Sequence, residues 1–284
     1  MRILVTGANG FIGSHLVQFL RAQGHIVFCH AIGDGDITVS GALDGFDKIE
    51  HVFHLAARTS VPASWEDIRG FINVNVMGTV NVLEFCRSQG CSLTQMSTYV
   101  YGEPKYLPVD EAHPIQSASP YHESKIFCER LCVFYSEHFH VKTTVLRPFN
   151  VYGKGQDKNF LIAKILEQVL DPRVEKISVM DLEPKRDYVY VMDVITAMTA
   201  TMHPKALFSV YNIGSGVSTS VEDVILSVFQ ATGITKPYYS TQEKRRMEIS
   251  DCVADITRLK KDFSFVPQYS LVQGLKEWVG EICF

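Results

Sequence analysis

Tyr121 and Lys125 stand four residues apart in a stretch with helical spacing of apolar residues, so their side chains share one helix face. That pairing can move a proton. A free tyrosine ionises at about pH 10, too high for a base near neutrality, and a neighbouring ammonium favours the phenolate. Ser97, at the end of a separate apolar stretch, adds a hydroxyl that can hydrogen-bond the reacting oxygen and stabilise charge developing on it. A tyrosine four residues before a lysine occurs on many helices, so the chemistry depends on what else the chain brings to the same place.

The first residues supply a phosphate cradle. Arg2-Ile3-Leu4-Val5 reads as a short buried strand, Gly7, Gly10 and Gly13 form a turn, and Phe11, Ile12, Leu16, Val17 and Leu20 open an apolar helix that stops at Gly24. Gly7 permits the tight turn, Gly10 removes a side chain that would block a pyrophosphate, and Gly13 lets the helix pack close to the strand. The free N–H groups and positive end of the helix face the anion. An oxidised nicotinamide ring at the far end of such a dinucleotide would favour the Tyr121 phenolate further, and Lys125 could hold its ribose. The trio then gives acid–base catalysis to a hydride carrier.

The elements between cradle and trio read as a parallel α/β sheet. A second strand, residues 25–30, leads into a glycine-rich loop at Ala31–Gly35 that is too short for a full-sized helix and third strand. A weakly helical stretch follows Asp36-Ile37. A buried strand over residues 50–55 then ends in Ala56-Ala57, small residues that let a flat ligand approach. The spacing predicts a helix over residues 73–87, a strand over 92–100, a helix from Pro120-Tyr121 to about Phe139 and a strand over 141–146 ending in Arg147, Asn150, Tyr152 and Gly153. Such a sheet carries its chemistry at the carboxyl edge. Beyond Gly153 the pattern predicts helices at 160–170, 194–202, 221–231 and 271–279 and a strand at 188–191. The expected fold class is α/β, a Rossmann-like doubly wound parallel sheet with a smaller mixed α/β substrate lobe. Residues 1–153 form the dinucleotide-binding domain, shortened between strands two and three, and residues 154–284 form mainly the substrate lobe, with returns to the first domain.

Composition narrows the class. A chain of 284 residues that is 46% hydrophobic can bury a large core, and a net charge of −4 gives a nucleic-acid surface no support. No apolar run approaches the roughly 20 residues of a membrane span, so a cytoplasmic protein is expected. Seven scattered cysteines without CxxC pairing suit reduced thiols better than disulfides or a zinc site.

The ordered set Gly7/Gly10/Gly13, His54-Leu55-Ala56-Ala57, Asn75-Val76-x-Gly78-Thr79, Ser97 five residues before Gly102, Tyr121-x-x-x-Lys125 and Arg147-Pro148-x-Asn150 closely resembles the extended short-chain dehydrogenase/reductase family, of the nucleotide-sugar epimerase and dehydratase type. The resemblance covers nearly the whole chain. It implies that Ser97, Tyr121 and Lys125 are the catalytic triad. It implies a cofactor shell of Gly7, Gly10, Phe11, Ile12 and Gly13 at the pyrophosphate, Asp36 and Ile37 beside adenine, and Leu55, Ala56, Ala57 and Asn75 along the dinucleotide. In the substrate lobe it assigns Asn150 and Arg186 to the sugar-nucleotide diphosphate, and Arg245 with Glu248 to the nucleotide, where Asp is more usual than Glu. It implies a homodimer through the helices at 73–87 and 121–139, with Phe127, Leu131 and Phe134 as apolar surface, and no metal.

Two departures shape the expected activity. Dehydratases of this type place Asp-Glu directly after the catalytic hydroxyl residue, whereas Thr98 and Tyr99 stand here, which disfavours water elimination. Ala31 occupies the end of the second strand, where an acid usually binds the adenosine ribose, and no nearby arginine replaces it. The leading expectation is a nucleotide-diphosphate-sugar epimerase, acting at C4 with bound NAD. The alternatives are an NADPH-dependent 4-keto nucleotide-sugar reductase and a non-catalytic dinucleotide sensor or scaffold.

Overall fold

The structure is a computed structural model that describes residues 1–243 and 249–280. Arg245 and Glu248 lie outside the described residues. Five strands come first: β1 (Arg2–Thr6), β2 (Ile26–His30), β3 (His51–His54), β4 (Ser92–Met96) and β5 (Thr143–Pro148). The second half adds β6 (Asn150–Tyr152), β7 (Ile177–Val179), β8 (Lys185–Tyr190) and β9 (Phe208–Ile213), followed by β10 (Ser218–Ser220), β11 (Tyr238–Ser240) and β12 (Asp251–Cys252). The helices are α1 (Phe11–Ala22), α2 (Val61–Glu66), α3 (Ile68–Phe71), α4 (Gly78–Gln89), α5 (Pro120–Phe139), α6 (Leu161–Leu170), α7 (Val191–Ala200), α8 (Val221–Thr232), α9 (Thr257–Phe263) and α10 (Leu271–Gly280).

The main sheet has six strands in the order β2-β1-β3-β4-β5-β9, and every neighbouring pair is parallel. A parallel sheet is covered on both faces, which is why its strands read as unbroken apolar runs. Ile3, Val5 and Phe53 pack in one core with Leu16 and Leu20 of α1 and Ile195 and Met198 of α7. The alternate residues Leu4, Val52 and Leu93 pack in a second core with Val82 and Leu83 of α4 and Cys132 of α5. The fold is Rossmann-like, as expected. In the smaller lobe β8 is the hub, with its first half paired to β10 and β12 and its second half to β6, while β7 pairs with β11.

Several boundaries differ from those read in the sequence. Between β2 and β3 only a short 3-10 turn at Ile32–Asp34 forms, so the main sheet ends at β2. The stretch after Ile37, expected to be weakly helical, is a series of turns, with Gly41 at φ +82°. β4 stops at Met96 instead of Val100. Ser97 N still donates to the Leu146 carbonyl at 2.8 Å, and from Thr98 onward the chain leaves the ladder to build a loop. The helix expected over 73–87 opens with a π turn, Ile72–Met77, a form common at functional sites. α5 begins where Pro120 predicted. Ser119 caps it, its Oγ accepting from His122 N at 3.2 Å, and proline suits the first helical position because the N–H it lacks would go unbonded.

Two buried histidines give the sheet a measurable acid sensitivity. His51 shares hydrogen bonds with Ser92 Oγ (2.7 Å) and Thr94 Oγ1 (3.1 Å), and His54 Nδ1 with Thr6 Oγ1 (2.7 Å). Burial pushes each imidazole down to about 3, helped at His54 by the Lys125 ammonium. Below an unfolded value of 6.5 the unfolded chain takes up protons that the folded chain refuses until about 3, so stability falls as pH falls through that window. For the pair the expected loss is about 2 kcal/mol between pH 6 and 5. Urea midpoints measured across that range check this, and a level midpoint contradicts it.

Candidate active site

The glycine turn joins three strand ends. Gly7, at φ +69°, donates its N–H to the His30 carbonyl at 2.8 Å, and a Cβ placed on it would lie 2.7 Å from Ala56 N. A Cβ on Gly13 would lie 2.2 Å from the Gly7 carbonyl oxygen. Gly10 is different: it is exposed, and the only atom its Cβ would meet is Gly7 O at 3.2 Å, so its open side faces outward. The helix that follows has no side-chain cap and no acid in its first turn. Its first hydrogen bond is Ser14 N to Gly10 O, which leaves the N–H groups of Phe11, Ile12 and Gly13 ahead of the ladder. This cradle fits a pyrophosphate.

The other expected cofactor residues border the same edge. Leu55 N donates to the Thr6 carbonyl at 3.1 Å and Ala56 N to Thr6 Oγ1 at 3.3 Å, with Ala57 next in line. Asp36 Oδ1 accepts from Thr38 N at 2.9 Å, which holds its carboxyl below the usual range. Ile37 is buried against Gly78 of α4, and its carbonyl accepts from Asn81 Nδ2 at 2.8 Å. At the tip of β2, Asp34 Oδ2 accepts from Ala31 N at 2.8 Å, and His30 Nε2 is buried with no hydrogen-bond partner. An orphaned polar atom at this end suits a polar ligand group.

Asn75 is buried, at 1% exposure. Its Oδ1 accepts from Arg58 N at 2.8 Å, and its Nδ2 donates to Arg58 O at 3.1 Å and to Ser124 Oγ at 2.8 Å. The π turn thereby spends this carboxamide on fixing the chain after β3 against the helix that carries Tyr121 and Lys125.

Both of those residues are buried on α5 at the carboxyl edge of the sheet. Lys125 Nζ donates to the Met96 carbonyl at 2.9 Å, and burial lowers its pKa. Burial also dominates at Tyr121 and pushes its phenol up, while the Thr98 side chain acts against this as a hydrogen-bond partner.

Ser97, just past β4, is buried. Its Oγ donates to Glu129 Oε1 at 2.5 Å. Glu129 is held in turn by Arg147, through Nε at 3.0 and 3.2 Å and Nη2 at 2.6 Å. Arg147 Nη1 donates to Tyr101 Oη at 3.0 Å, and Tyr101 Oη to Asn212 Oδ1 at 2.5 Å. Glu129 was legible as the next residue on the Tyr121–Lys125 face, four beyond Lys125; its link to Arg147 was not. After Thr98 the chain is pinned again, because Tyr99 stacks on Phe149 with ring centroids 5.3 Å apart and planes 23° apart.

In the smaller lobe Asn150 and Arg186 meet around β8. Asn150 Nδ2 donates to the Asp187 carbonyl at 3.2 Å, and Arg186 Nη1 donates to the carbonyls of Lys185 (2.7 Å) and Ile249 (2.6 Å). Asp187 is structural, as its carboxylate accepts from the backbones of Ser215, Gly216 and Ala254. The lobes touch beside the cradle, where His15 Nε2 is 2.8 Å from the Lys154 carbonyl. Among the described residues no cluster of His, Cys, Asp or Glu could hold a metal ion, and no helix is long and apolar enough to cross a membrane.

The sequence profile of the NAD dependent epimerase/dehydratase family matches residues 3–214. The chain belongs to this family. It is therefore an NAD(P)-dependent sugar-nucleotide enzyme of the extended short-chain dehydrogenase/reductase type, a family described as NAD-dependent, and the cradle described above fits the pyrophosphate of such a cofactor. It is 32% identical to a UDP-glucose 4-epimerase of Mycolicibacterium smegmatis, over 98% of this chain and 97% of the relative. It is 30% identical to a GDP-6-deoxy-D-mannose reductase of Pseudomonas aeruginosa, over 79% and 78% of the two chains. The crystal structure of a Thermus thermophilus UDP-glucose 4-epimerase in complex with NAD superposes with a TM-score of 0.89 at 30% identity, covering 100% of this chain and 99% of that one.

Proposed function

We propose that this enzyme interconverts nucleotide-diphosphate sugars epimeric at C4, with a UDP-sugar as substrate, in the cytoplasm. The observation that carries the reading is the burial of Tyr121 and Lys125 together on one face of α5, at the sheet edge that also holds the glycine cradle. NAD, when bound, supplies a hydride acceptor and donor for the sugar carbon. Tyr121 Oη takes the proton from the sugar hydroxyl and returns it to the same oxygen, so one phenol serves both halves of a turnover. Lys125, buried with its Nζ on a carbonyl, is placed to hold a ribose of the cofactor. A hydroxyl at the end of β4, Ser97 by resemblance, shares the reacting oxygen. Asn150 and Arg186 would bind the diphosphate, arginine as a planar fork, and Arg245 with Glu248 the nucleotide. Exposed Phe127 and Phe134 on α5 support a homodimer through that helix.

A second reading has an observation of its own. The acid that usually holds the ribose of NAD at the end of β2 is replaced by Ala31, which favours an exchanging dinucleotide over a retained one, as in a reductase that uses NADPH on a 4-keto nucleotide sugar. Incubation with UDP-glucose and no added dinucleotide, followed by NMR, separates the readings. Formation of UDP-galactose supports the epimerase. Stoichiometric NADPH oxidation with a 4-keto nucleotide sugar, and no interconversion, selects the reductase, and cofactor binding without either reaction selects a sensor.

A further inference from the structure

We propose that Asp34 selects NAD over NADP: the turn after β2 returns its carboxylate to the tip of that strand, where it receives a hydroxyl of the adenosine ribose and repels a 2′-phosphate. The inference deepens the reading of the site given above and rests on it for the dinucleotide.

The tip of β2 is built into the cradle. The His30 carbonyl accepts from Gly7 N at 2.8 Å and from Ala8 N at 3.4 Å, so whatever stands just beyond His30 borders the pyrophosphate turn. A dinucleotide sheet brings the adenosine ribose to this strand end and meets a 2′-hydroxyl with an acid or a 2′-phosphate with an arginine. Ala31 offers neither group.

The turn supplies one of them. Asp34 N donates to the Ala31 carbonyl at 2.9 Å, and Asp34 Oδ2 accepts from Ala31 N at 2.8 Å. This reciprocal pair folds Ile32–Asp34 back on the strand and fixes the carboxylate against Ala31. Only Oδ2 is engaged. Asp34 is exposed, and among the described residues its Oδ1 has no hydrogen-bond partner and its carboxylate no ion pair. A second observation points to a ligand at the same turn. His30 is 2% exposed and its Nε2 has no hydrogen-bond partner, while a Cβ placed on Gly35, the residue after Asp34, would stand 3.8 Å from that nitrogen. A buried polar atom left unpaired is costly, and a hydroxyl delivered to this turn relieves that cost.

Charge then decides between the two dinucleotides. A ribose hydroxyl donates to the open Oδ1 in a charge-assisted hydrogen bond. A 2′-phosphate, with about two negative charges at neutral pH, meets the Asp34 carboxylate and, two residues on, that of Asp36, which is exposed and turned onto Thr38 N at 2.9 Å.

Isothermal titration of the full chain with NAD and with NADP, after dialysis to remove bound nucleotide, compares the two dissociation constants. Wild type is expected to hold NAD roughly tenfold or more tighter than NADP, with the gap narrowing as salt rises. Asp34→Asn keeps an oxygen to accept from Ala31 N and removes the charge. The turn should persist while the ratio falls about tenfold, through tighter NADP and weaker NAD. Asp47→Asn removes the same charge elsewhere, beside Arg2 at the start of β1, and should leave the ratio unchanged. The proposal is overturned if wild type binds NADP as tightly as NAD or binds neither, if Asp34→Asn keeps the wild-type ratio, or if Asp47→Asn shifts it equally. Interconversion of UDP-glucose is measured on the same samples. If it is absent while the ratio follows Asp34, the epimerase reading fails and the assignment of Asp34 stands. If it is present while the ratio ignores Asp34, the epimerase reading stands and the assignment fails.

Discussion

Tyr121→Phe is expected to lower turnover on the true substrate by about 10²- to 10⁴-fold, the usual contribution of a positioned acid–base group. The substitution removes one oxygen and leaves the ring, which is buried and lies edge-on to Phe71 at 6.3 Å between centroids. Packing is kept, so the urea midpoint should barely move. The pH profile separates loss of a base from loss of structure. Because burial pushes the Tyr121 phenol up, the wild-type kcat/KM should climb as pH rises toward that ionisation, and the residual activity of Tyr121→Phe should lack that climb. Full turnover in the variant, or the same climb, would remove Tyr121 from the mechanism.

Glu129→Ala should destabilise the fold by about 3 to 5 kcal/mol, the range for breaking a buried ion pair from one side. Glu129 and Arg147 are 5% and 3% exposed. Burial works against the charge on Arg147, but the hydrogen bonds and negative charge of Glu129 outweigh it and hold the guanidinium above its ordinary value. Without the carboxylate, Arg147 keeps its charge with only Tyr101 Oη beside it, and Ser97 loses its acceptor. Removing both charges in Glu129→Leu/Arg147→Leu should recover part of the loss, because no unpaired ion then remains inside. Urea unfolding of the single and double variants measures this, and a loss under about 1 kcal/mol for Glu129→Ala would contradict the account.

The features legible in the sequence were those that neighbouring residues decide. The glycine turn, the proline that opens α5 and the shortened segment after β2 all announce themselves within a few positions, and each stands where it was read. Tertiary partners were not legible. Ser97 and Thr98 are adjacent hydroxyls at the end of a strand, and family spacing chose between them. The partner Ser97 holds is a carboxylate 32 residues on, itself held by an arginine 18 further still. The short helices α2 and α3 and the π turn escaped for a similar reason. Their signal is mixed in period, and Asn75 holds them by reaching across to Ser124, 49 residues away. The place of β9 beside β5 follows from long-range pairing that no local pattern encodes.

The linked bonds from Ser97 through Glu129, Arg147 and Tyr101 to Asn212 run from just past the end of β4 through α5 and β5 to β9, and Asn212 Nδ2 ends on the Val109 carbonyl at 2.9 Å. Such a line of buried, mutually satisfied groups resists shear. It makes a stiff girder across the second half of the sheet.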